Sequence, residues 1–535
     1  MGDSDRPSLA ADHEAALTAH RAGRLEEARN GYRAVLSRQP DHPDALNLLA
    51  LVERARGDLP TAVALSRAAV ARFEHPGFLD NLGVILAEAG DHEGAEVAFL
   101  RGLELDPDHV TLLRDLVNFY VATQRYEESG IFNHRLMLLT PDDPQGYTNM
   151  GALAHIRQAF TEAEYYYGKA LALETQSEDA CLNLSSLRLE TNRAKDAERY
   201  ARAVLEWAPA SRRAQLAVGH ALLSQGRWLE AWPYYEARSP LAAPGGGVGA
   251  ARWEGQSVLG KAFLILGEQG LGDHIQFARY GALLKTRGAA HVAIAAPATI
   301  HRLLLCVEGI DEVVDDPSEA RDCDVWSPLM SLPLHFATTP ETLRDTLPGG
   351  LPYIHLTADQ EGPPDAGGRL KVGLFWAGGH ETLAPSVSRV DAQRSLKLEQ
   401  LLALTLAPEL RNRVAWTILQ KDRRADWLGS LAVTADWSDP FAHQADDSPQ
   451  DLLDTARIIA SLDLVIGVDS ALIHLAAALG RPTWMMDRRN HCWRWRPGAC
   501  DSDWYPGSLR IFRQQTSGDW APVLAEVRAA LGRLT

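Results

Sequence analysis

Residues 81–107 read Asn81-Leu-Gly-Val-Ile-Leu-Ala-Glu-Ala-Gly-Asp-His-Glu-Gly-Ala95-Glu-Val-Ala-Phe99-Leu-Arg-Gly-Leu-Glu-Leu-Asp-Pro107. Asn81-Leu82-Gly83 opens a helix, Ala89-Gly90-Asp91 turns it, Ala95 and Phe99 pack a return helix, and Pro107 ends that helix because it lacks an N–H and clashes with the preceding turn. The same grammar recurs outward in both directions. Ala28, Ala62, Ala95, Ser129, Ala163, Ala197 and Ala231 follow one another at spacings of 34, 33, 34, 34, 34 and 34 residues. So steady a period marks an array of helical repeats.

Tyr32 and Pro40, Phe132 and Pro141, and Tyr167 occupy the corresponding aromatic and terminal places elsewhere. The small residue lets two antiparallel helices approach, and the aromatic fills the gap between repeats. This pattern resembles the tetratricopeptide repeat over residues 10–238, with about seven helix pairs. A second series runs inside it: Asn81, Asp115, Asn149 and Asn183 share one repeat position, two residues before the small residues Gly83, Gly151 and Ser185. Asparagine is a mediocre helix former, so its recurrence asks for a reason. One reading is an acceptor-binding groove whose amides hold an extended peptide; the other is hydrogen bonding between repeats. Asn47 lies 34 residues before Asn81 but one residue early relative to Ala62, and is set outside the ladder.

At 535 residues and 46% apolar content the chain is long enough for two or three cores. A formal net charge of −17 argues against a general binder of nucleic acid or anionic membrane, which needs a dense positive surface. The start, Met1 to Ala10, is polar and acidic, and no stretch is long and apolar enough to span a bilayer, so no membrane insertion and a cytoplasmic location are expected. The five cysteines, Cys181, Cys306, Cys323, Cys492 and Cys500, are scattered without zinc-type spacing.

The aromatics Trp228, Trp232, Tyr234 and Tyr235 suit a cap that packs on a following domain, and the Gly/Pro-rich stretch after Ser239 marks a linker, residues 239–260. Short apolar runs alternating with helical segments then predict two α/β lobes, residues 261–361 and 369–535, joined near Gly362–Gly368. Strands are expected at Ala262–Leu266, Val292–Ala295, Glu312–Val314 and Cys323–Trp326 in the first lobe. In the second they are expected at Lys371–Trp376, Ala415–Leu419 and Leu464–Gly467.

Two stretches carry chemistry. In Gly267-Glu-Gln-Gly-Leu-Gly-Asp-His274 a strand meets a helix through glycines that permit close backbone approach to an anion. Asp273 there is either the helix N-cap or a general base for an acceptor hydroxyl, and spacing alone favours the cap. In Val468-Asp-Ser-Ala-Leu-Ile-His-Leu-Ala-Ala-Ala-Leu-Gly-Arg-Pro482 a strand ends, Asp469-Ser470 caps a helix, and His474 lies one turn on, where helix N–H groups can hold a diphosphate. Together the two stretches resemble the heptosyltransferase-type glycosyltransferases of the GT-B fold. The whole chain resembles bacterial proteins that fuse tetratricopeptide repeats to such a domain, an architecture similar to O-linked N-acetylglucosamine transferase and flagellin glycosyltransferases.

That resemblance implies an all-α tetratricopeptide superhelix followed by a GT-B-type pair of Rossmann-like lobes. It implies a metal-independent glycosyltransferase with no cofactor, using Asp273 as catalytic base. The nucleotide-activated sugar donor would be held by Gly270, Gly272, Arg394, Asp469, Ser470, His474 and Trp495, with Arg394, or else Lys397, offsetting diphosphate charge. A protein acceptor, flagellin among the candidates, would lie along Asn81, Asp115, Asn149 and Asn183. The chain departs from the simple pattern at Ala377-Gly-Gly-His-Glu381 and at Trp493-Arg-Trp-Arg496, which reads as a nucleotide-stacking site or as a packed loop. The acidic pairs Asp322-Cys-Asp324 and Asp501-Ser-Asp503 lack a setting suited to a metal. Sugar transfer to a protein hydroxyl is the function expected, with a lipid or polysaccharide acceptor and a non-catalytic scaffold as alternatives.

Overall fold

A computed structural model describes residues 8–238, 250–320, 323–345, 347, 349–357, 368–378, 391–420, 437–438 and 451–534. The chain divides into two compact units, Met1–Asn183 and Leu184–Thr535.

The first unit is helical throughout its described residues, beginning with α1 (Leu9–Arg21) and α2 (Leu25–Arg38). The first helix of each repeat has 13 residues and the second 14, as in α3 (Pro43–Ala55) and α4 (Leu59–Arg72) or α5 (Pro76–Glu88) and α6 (His92–Leu105), and this regularity sets the sequence period. Asp58 and Asp91 start the return helices α4 and α6 by accepting the N–H of Thr61 at 3.2 Å and of Gly94 at 2.9 Å, satisfying donors that a helix end leaves open. Ala28, Ala62, Ala95 and Ala163 are fully buried between paired helices. Two of the small residues after the ladder make room for an aromatic ring: a Cβ on Gly83 would lie 2.6 Å from Phe99, and one on Gly151 2.5 Å from Tyr167. The rows continue through α7 (Val110–Ala122), α8 (Tyr126–Leu139), α9 (Pro144–Ile156), α10 (Phe160–Leu173) and α11 (Glu178–Glu190).

The ladder residues all lie on the first helices of their repeats. Asn47, set aside on its spacing, belongs with them: on α3 it accepts a hydrogen bond at 3.2 Å from Nδ2 of Asn81 on α5. The frame slips because the small-residue spacing shortens to 33 between Ala62 and Ala95, after the helix that carries Asn47. Asn149 accepts from Gln145 at 2.8 Å on its own helix.

In the second unit α12 (Ala194–Trp207), α13 (Arg212–Ser224) and the short α14 (Trp228–Tyr235) complete a series of fourteen helices. Two parallel sheets follow. The first has the order β1-β5-β2-β3-β4, with β1 at Ala251–Arg252, β2 at Ala262–Leu266, β3 at His291–Ala295, β4 at Glu312–Val314 and β5 at Val325–Pro328. The second has the order β11-β10-β9-β6-β7-β8, with β6 at Leu370–Leu374, β7 at Val414–Ile418, β8 at Trp437–Ser438, β9 at Leu464–Val468, β10 at Thr483–Asp487 and β11 at Leu509–Arg513. Among the described residues every ladder in both sheets is parallel. Their inner strands are nearly continuous apolar runs, as burial on both faces requires. The all-α repeats followed by two parallel α/β lobes are the fold class that the sequence implied.

Helices α15 (Leu271–Phe277), α16 (Tyr280–Thr286), α17 (His301–Leu304), α18 (Leu332–His335) and α19 (Pro340–Asp345) accompany the first sheet. Helices α20 (Leu398–Thr405), α21 (Leu452–Ala460), α22 (Ala471–Ala478) and α23 (Ala521–Leu534) accompany the second. In each sheet the chain order reverses beside the first long strand, between β2 and β5 and between β6 and β9. Such switch points open a crevice at the carboxyl ends of the strands. The first is occupied by the Gly267–Gly270 turn and the second by Asp469-Ser470. Among the described residues no helix is long and apolar enough to cross a membrane.

Candidate active site

The two switch-point turns meet. Helix α15 begins at Leu271, so Asp273 is its third residue rather than its N-cap, and its carboxylate reaches back to accept the Gly270 N–H at 3.0 Å. Gln269 just before the helix holds a φ of 67°, a left-handed conformation uncommon outside glycine, which turns the chain from β2 into α15. Gly272 faces the second lobe so closely that a Cβ there would lie 3.0 Å from Cδ2 of His474 and 3.4 Å from the Cα of Ala471. Glycine at 272 is what lets α15 and α22 touch.

On the second lobe, Ser470 is the N-cap of α22, yet its hydroxyl makes no capping bond. The N–H groups of that helix end and the free hydroxyl are therefore unspent beside Gly272, a ready setting for a phosphate. His474 is buried at 6% exposure, its Nδ1 is 2.9 Å from the Tyr505 hydroxyl, and its ring stacks on Trp495 at 5.5 Å. Burial lowers the His474 pKa to about 4, against an opposing pull from Asp469. His474 is thus neutral at physiological pH and contributes shape and hydrogen bonding, not charge.

The Trp493-Arg-Trp-Arg496 segment closes the site. Trp495 is fully buried, with one face on His474. Trp493 packs against Trp228 and Trp232 of α14 at 5.6 and 5.8 Å, and Trp228 stacks on Trp504 at 5.4 Å. The aromatic load at the end of the repeats packs on the following lobes, as its composition suggested. Arg496 pairs with Asp503, which spends one carboxylate of the second acidic pair, and Asp324 of the first accepts the Ala262 N–H at 2.8 Å. No group of acidic, histidine or cysteine side chains able to hold a metal occurs among the described residues.

Arg494 turns the other way, into the cleft. Its guanidinium pairs with the Asp273 carboxylate across 221 residues of chain, donates to Oε1 of Gln276 at 2.8 Å, and lies 4.6 Å above the Trp493 ring. Burial is the largest influence and works against its charge, but Asp273, Cys492 and Tyr235 together outweigh it and the guanidinium is held above its ordinary range. Nothing in the sequence spacing signals this pair.

Two further contacts fix the first lobe's turn. Arg238, at the end of the repeats, forms a bidentate pair with Glu268 at 2.8 and 3.0 Å, and Glu268 also accepts the Met330 N–H at 2.8 Å. Arg279, 1% exposed, donates to the carbonyls of Gln276 and Trp504, both at 2.7 Å, and lies against the rings of Tyr353, Tyr505 and Trp504 at 4.6, 4.8 and 5.4 Å.

Arg394 lies in a separate cluster beyond β6, donating to Asp391 at 2.7 Å. Both crowd Gly378, where a Cβ would collide with Oδ1 of Asp391. Lys397 opens α20, its backbone N–H bonded to Gln400 at 3.0 Å. Of the loop expected to meet donor or acceptor, Gly379, His380 and Glu381 lie outside the described residues, as do residues 239–249 of the linker and 362–367 of the inter-lobe connector.

Comparison with known proteins agrees with this division. Tetratricopeptide-repeat models match residues 13–77, 77–109 and 154–221, and the model of glycosyltransferase family 9 (heptosyltransferase) matches residues 449–485, the segment that carries β9, α22 and Asp469 to His474. The chain is 27% identical to Protein FlbA of Caulobacter vibrioides, over 97% of this chain and 83% of that protein. It is 28% identical to the human Protein O-mannosyl-transferase TMTC1 over 33% of this chain and 21% of that protein. A solved tetratricopeptide repeat protein from Parabacteroides merdae covers 43% of this chain and 91% of its own at 16% identity and a TM-score of 0.37. The chain joins tetratricopeptide repeats to a part similar to glycosyltransferase family 9.

Proposed function

We propose that the protein transfers a sugar from a nucleotide-activated donor to a serine or threonine hydroxyl of a polypeptide recruited by its repeats. The observation that carries this reading is the meeting of two switch-point turns, with an unspent helix N-terminus at Ser470-Ala471 on one side and the Asp273 carboxylate on the other. In this reading the donor phosphates lie on the N–H groups of α22 and the Ser470 hydroxyl, with Asp469 beside them. Asp273 takes the proton from the acceptor hydroxyl as it attacks the anomeric carbon, and helix N–H groups stabilise the charge that builds on the departing phosphate. Gly270 and Gly272 admit the backbone contacts, and Arg394 meets the donor only by leaving Asp391. Trp495 supports the pocket through His474. The lobes are of GT-B type, no metal is required, and flagellin is among the acceptors to test.

The repeats supply the acceptor site in this reading, which raises the local concentration of the polypeptide near the chemistry. Asp115 and Asn183 are the ladder positions with no hydrogen bond among the described residues, while Asn81 is engaged with Asn47. The test is to incubate the full chain with a panel of nucleotide sugars and a protein acceptor, and to read the mass of the acceptor. Transfer from one donor that Asp273→Asn abolishes without unfolding the protein supports the reading. Retention of full transfer by Asp273→Asn sinks the assignment of the base. Transfer to lipid or polysaccharide alone, unaffected by alanine at Asp115 and Asn183, sinks the acceptor assignment.

A further inference from the structure

The ion pair between Arg494 and Asp273 stands at odds with the role of Asp273 as a base. A carboxylate held by a guanidinium is stabilised in its charged form and accepts a proton poorly. Four observations show how the conflict resolves. The pair is neither deeply enclosed nor free: the two side chains are 14% and 20% exposed. Asp273 is next in sequence to Gly272, which closely approaches Ala471, and the charges of Asp273 and Arg494 both reach His474 on that helix, so the pair belongs to the turn that faces the helix end where an anion would bind. The Ser470 hydroxyl at that end is not used for capping. Finally, Gln276 is fully buried and spends Oε1 on Arg494, but its Nε2 has no partner, so the network around Arg494 is short of one acceptor oxygen.

We infer that Arg494 changes partner when the donor binds, leaving Asp273 for a phosphate of the nucleotide sugar and thereby releasing the carboxylate to act as base. This inference rests on the donor reading above and adds a positioning residue to it. A phosphate group presents more charge and more acceptor oxygens to a guanidinium than one carboxylate does, and it gains the N–H groups of α22 as well. A phosphate oxygen also supplies the acceptor that the Gln276 amide lacks. Without donor, Asp273 is tied to Arg494 and cannot deprotonate a hydroxyl. Donor occupancy and base competence are therefore coupled through one side chain, which orders donor before acceptor.

The swap makes Asp273 a competitor of the phosphate for Arg494, and this has a sign that a merely structural pair does not share. Inorganic pyrophosphate binding to the full chain is measured by titration calorimetry at fixed ionic strength for the native protein, Asp273→Asn, Arg494→Gln, Arg494→Lys and the double variant. Removing the competing charge in Asp273→Asn should tighten pyrophosphate binding roughly tenfold, a coupling of ordinary size. Arg494→Gln should weaken binding by about tenfold or more and cancel the gain in the double variant, while Arg494→Lys retains part of it. If Arg494→Gln does not fold, the tightening in Asp273→Asn and its partial loss on changing Arg494 to Lys in that background carry the test. Native binding that neither residue affects, or that Asp273→Asn weakens, overturns the swap and leaves the donor reading standing. Absence of pyrophosphate binding in every variant overturns both.

Discussion

Replacing Asp80 with asparagine should stabilise the repeats at pH 8 and do much less at pH 5. Asp80 lies on α5, next to the ladder residue Asn81, at 5% exposure, and its Oδ1 has no hydrogen-bond partner. Burial first, and the nearby Asp115 carboxylate second, push its pKa from 3.8 to about 7. A carboxyl raised in this way contributes its full stability below its unfolded pKa of 3.8 and loses that contribution as the pH rises through about 7. A displacement of roughly three pH units at about 1.36 kcal/mol each gives a ceiling of about 4 kcal/mol for the cost of ionising Asp80 in place. Asparagine still buries a polar group, which offsets part of the gain, so the net stabilisation at pH 8 should be about 2 kcal/mol. Hydrogen exchange read by mass spectrometry on peptides from α5 and α7, corrected for the intrinsic pH dependence, resolves this locally in the full chain. Protection in α5 should rise by about thirtyfold at pH 8, with the two proteins converging towards pH 5. Asp115→Asn should give a smaller gain of the same sign. Equal protection at pH 8, or a gap that does not change with pH, would refute the reasoning.

Trp228→Ala should destabilise the second unit by about 3–5 kcal/mol, read as a lower midpoint in denaturant, because it removes a fully buried indole packed on Trp493 and Trp504. Arg279→Ala should cost about 3 kcal/mol or more, since it leaves the Trp504 carbonyl without its donor and opens a cavity among three rings; a change under 1 kcal/mol in the same assay would show that the cage carries no load. His474 should stay neutral from pH 8 down to 5 in a carbon-13 NMR titration of its ring, because burial holds its pKa near 4, and an inflection near 6.5 would contradict its buried setting. The sign for stability follows: the contribution of His474 is present above 6.5 and is lost as the pH falls towards 4.

The repeats were legible because one small residue per repeat is forced by helix contact, and contact of that kind leaves a period in the sequence. Strand β2 falls where its apolar run placed it, since burial on both faces writes a continuous apolar stretch. Strands β10, Thr-Trp-Met-Met-Asp, and β11, Leu-Arg-Ile-Phe-Arg, carry only a weak strand signal in the sequence. The first is poor in β-branched residues, and the second alternates with arginine at the edge of the sheet. The turns at Gly267–Asp273 and Asp469–His474 could be found because glycines and a capping serine at a strand end are local signals. The Arg494 to Asp273 pair could not, because it is made by topology between distant segments. The burial of Trp493 and Trp495 was equally hidden: an indole in a tail of mixed composition reads the same whether it meets a ligand or a neighbouring helix.

The indole cluster that joins α14 to Trp493 and Trp504 bears on how the chain can be dissected. A fragment starting at residue 250 would keep both sheets yet lose Trp228 and Trp232, and with them the surface that covers Trp493 and Trp504. It would also lose Arg238, the bidentate partner of Glu268 in the turn that leads to Asp273. Each uncovered indole presents on the order of 200 Å² of ring surface to water, enough for such a fragment to self-associate rather than remain a monomer. Solubility of such a fragment should therefore return in one step as the cut is moved upstream past α13, and the last repeats are better counted as part of the core of the two α/β lobes than as an appendage to it.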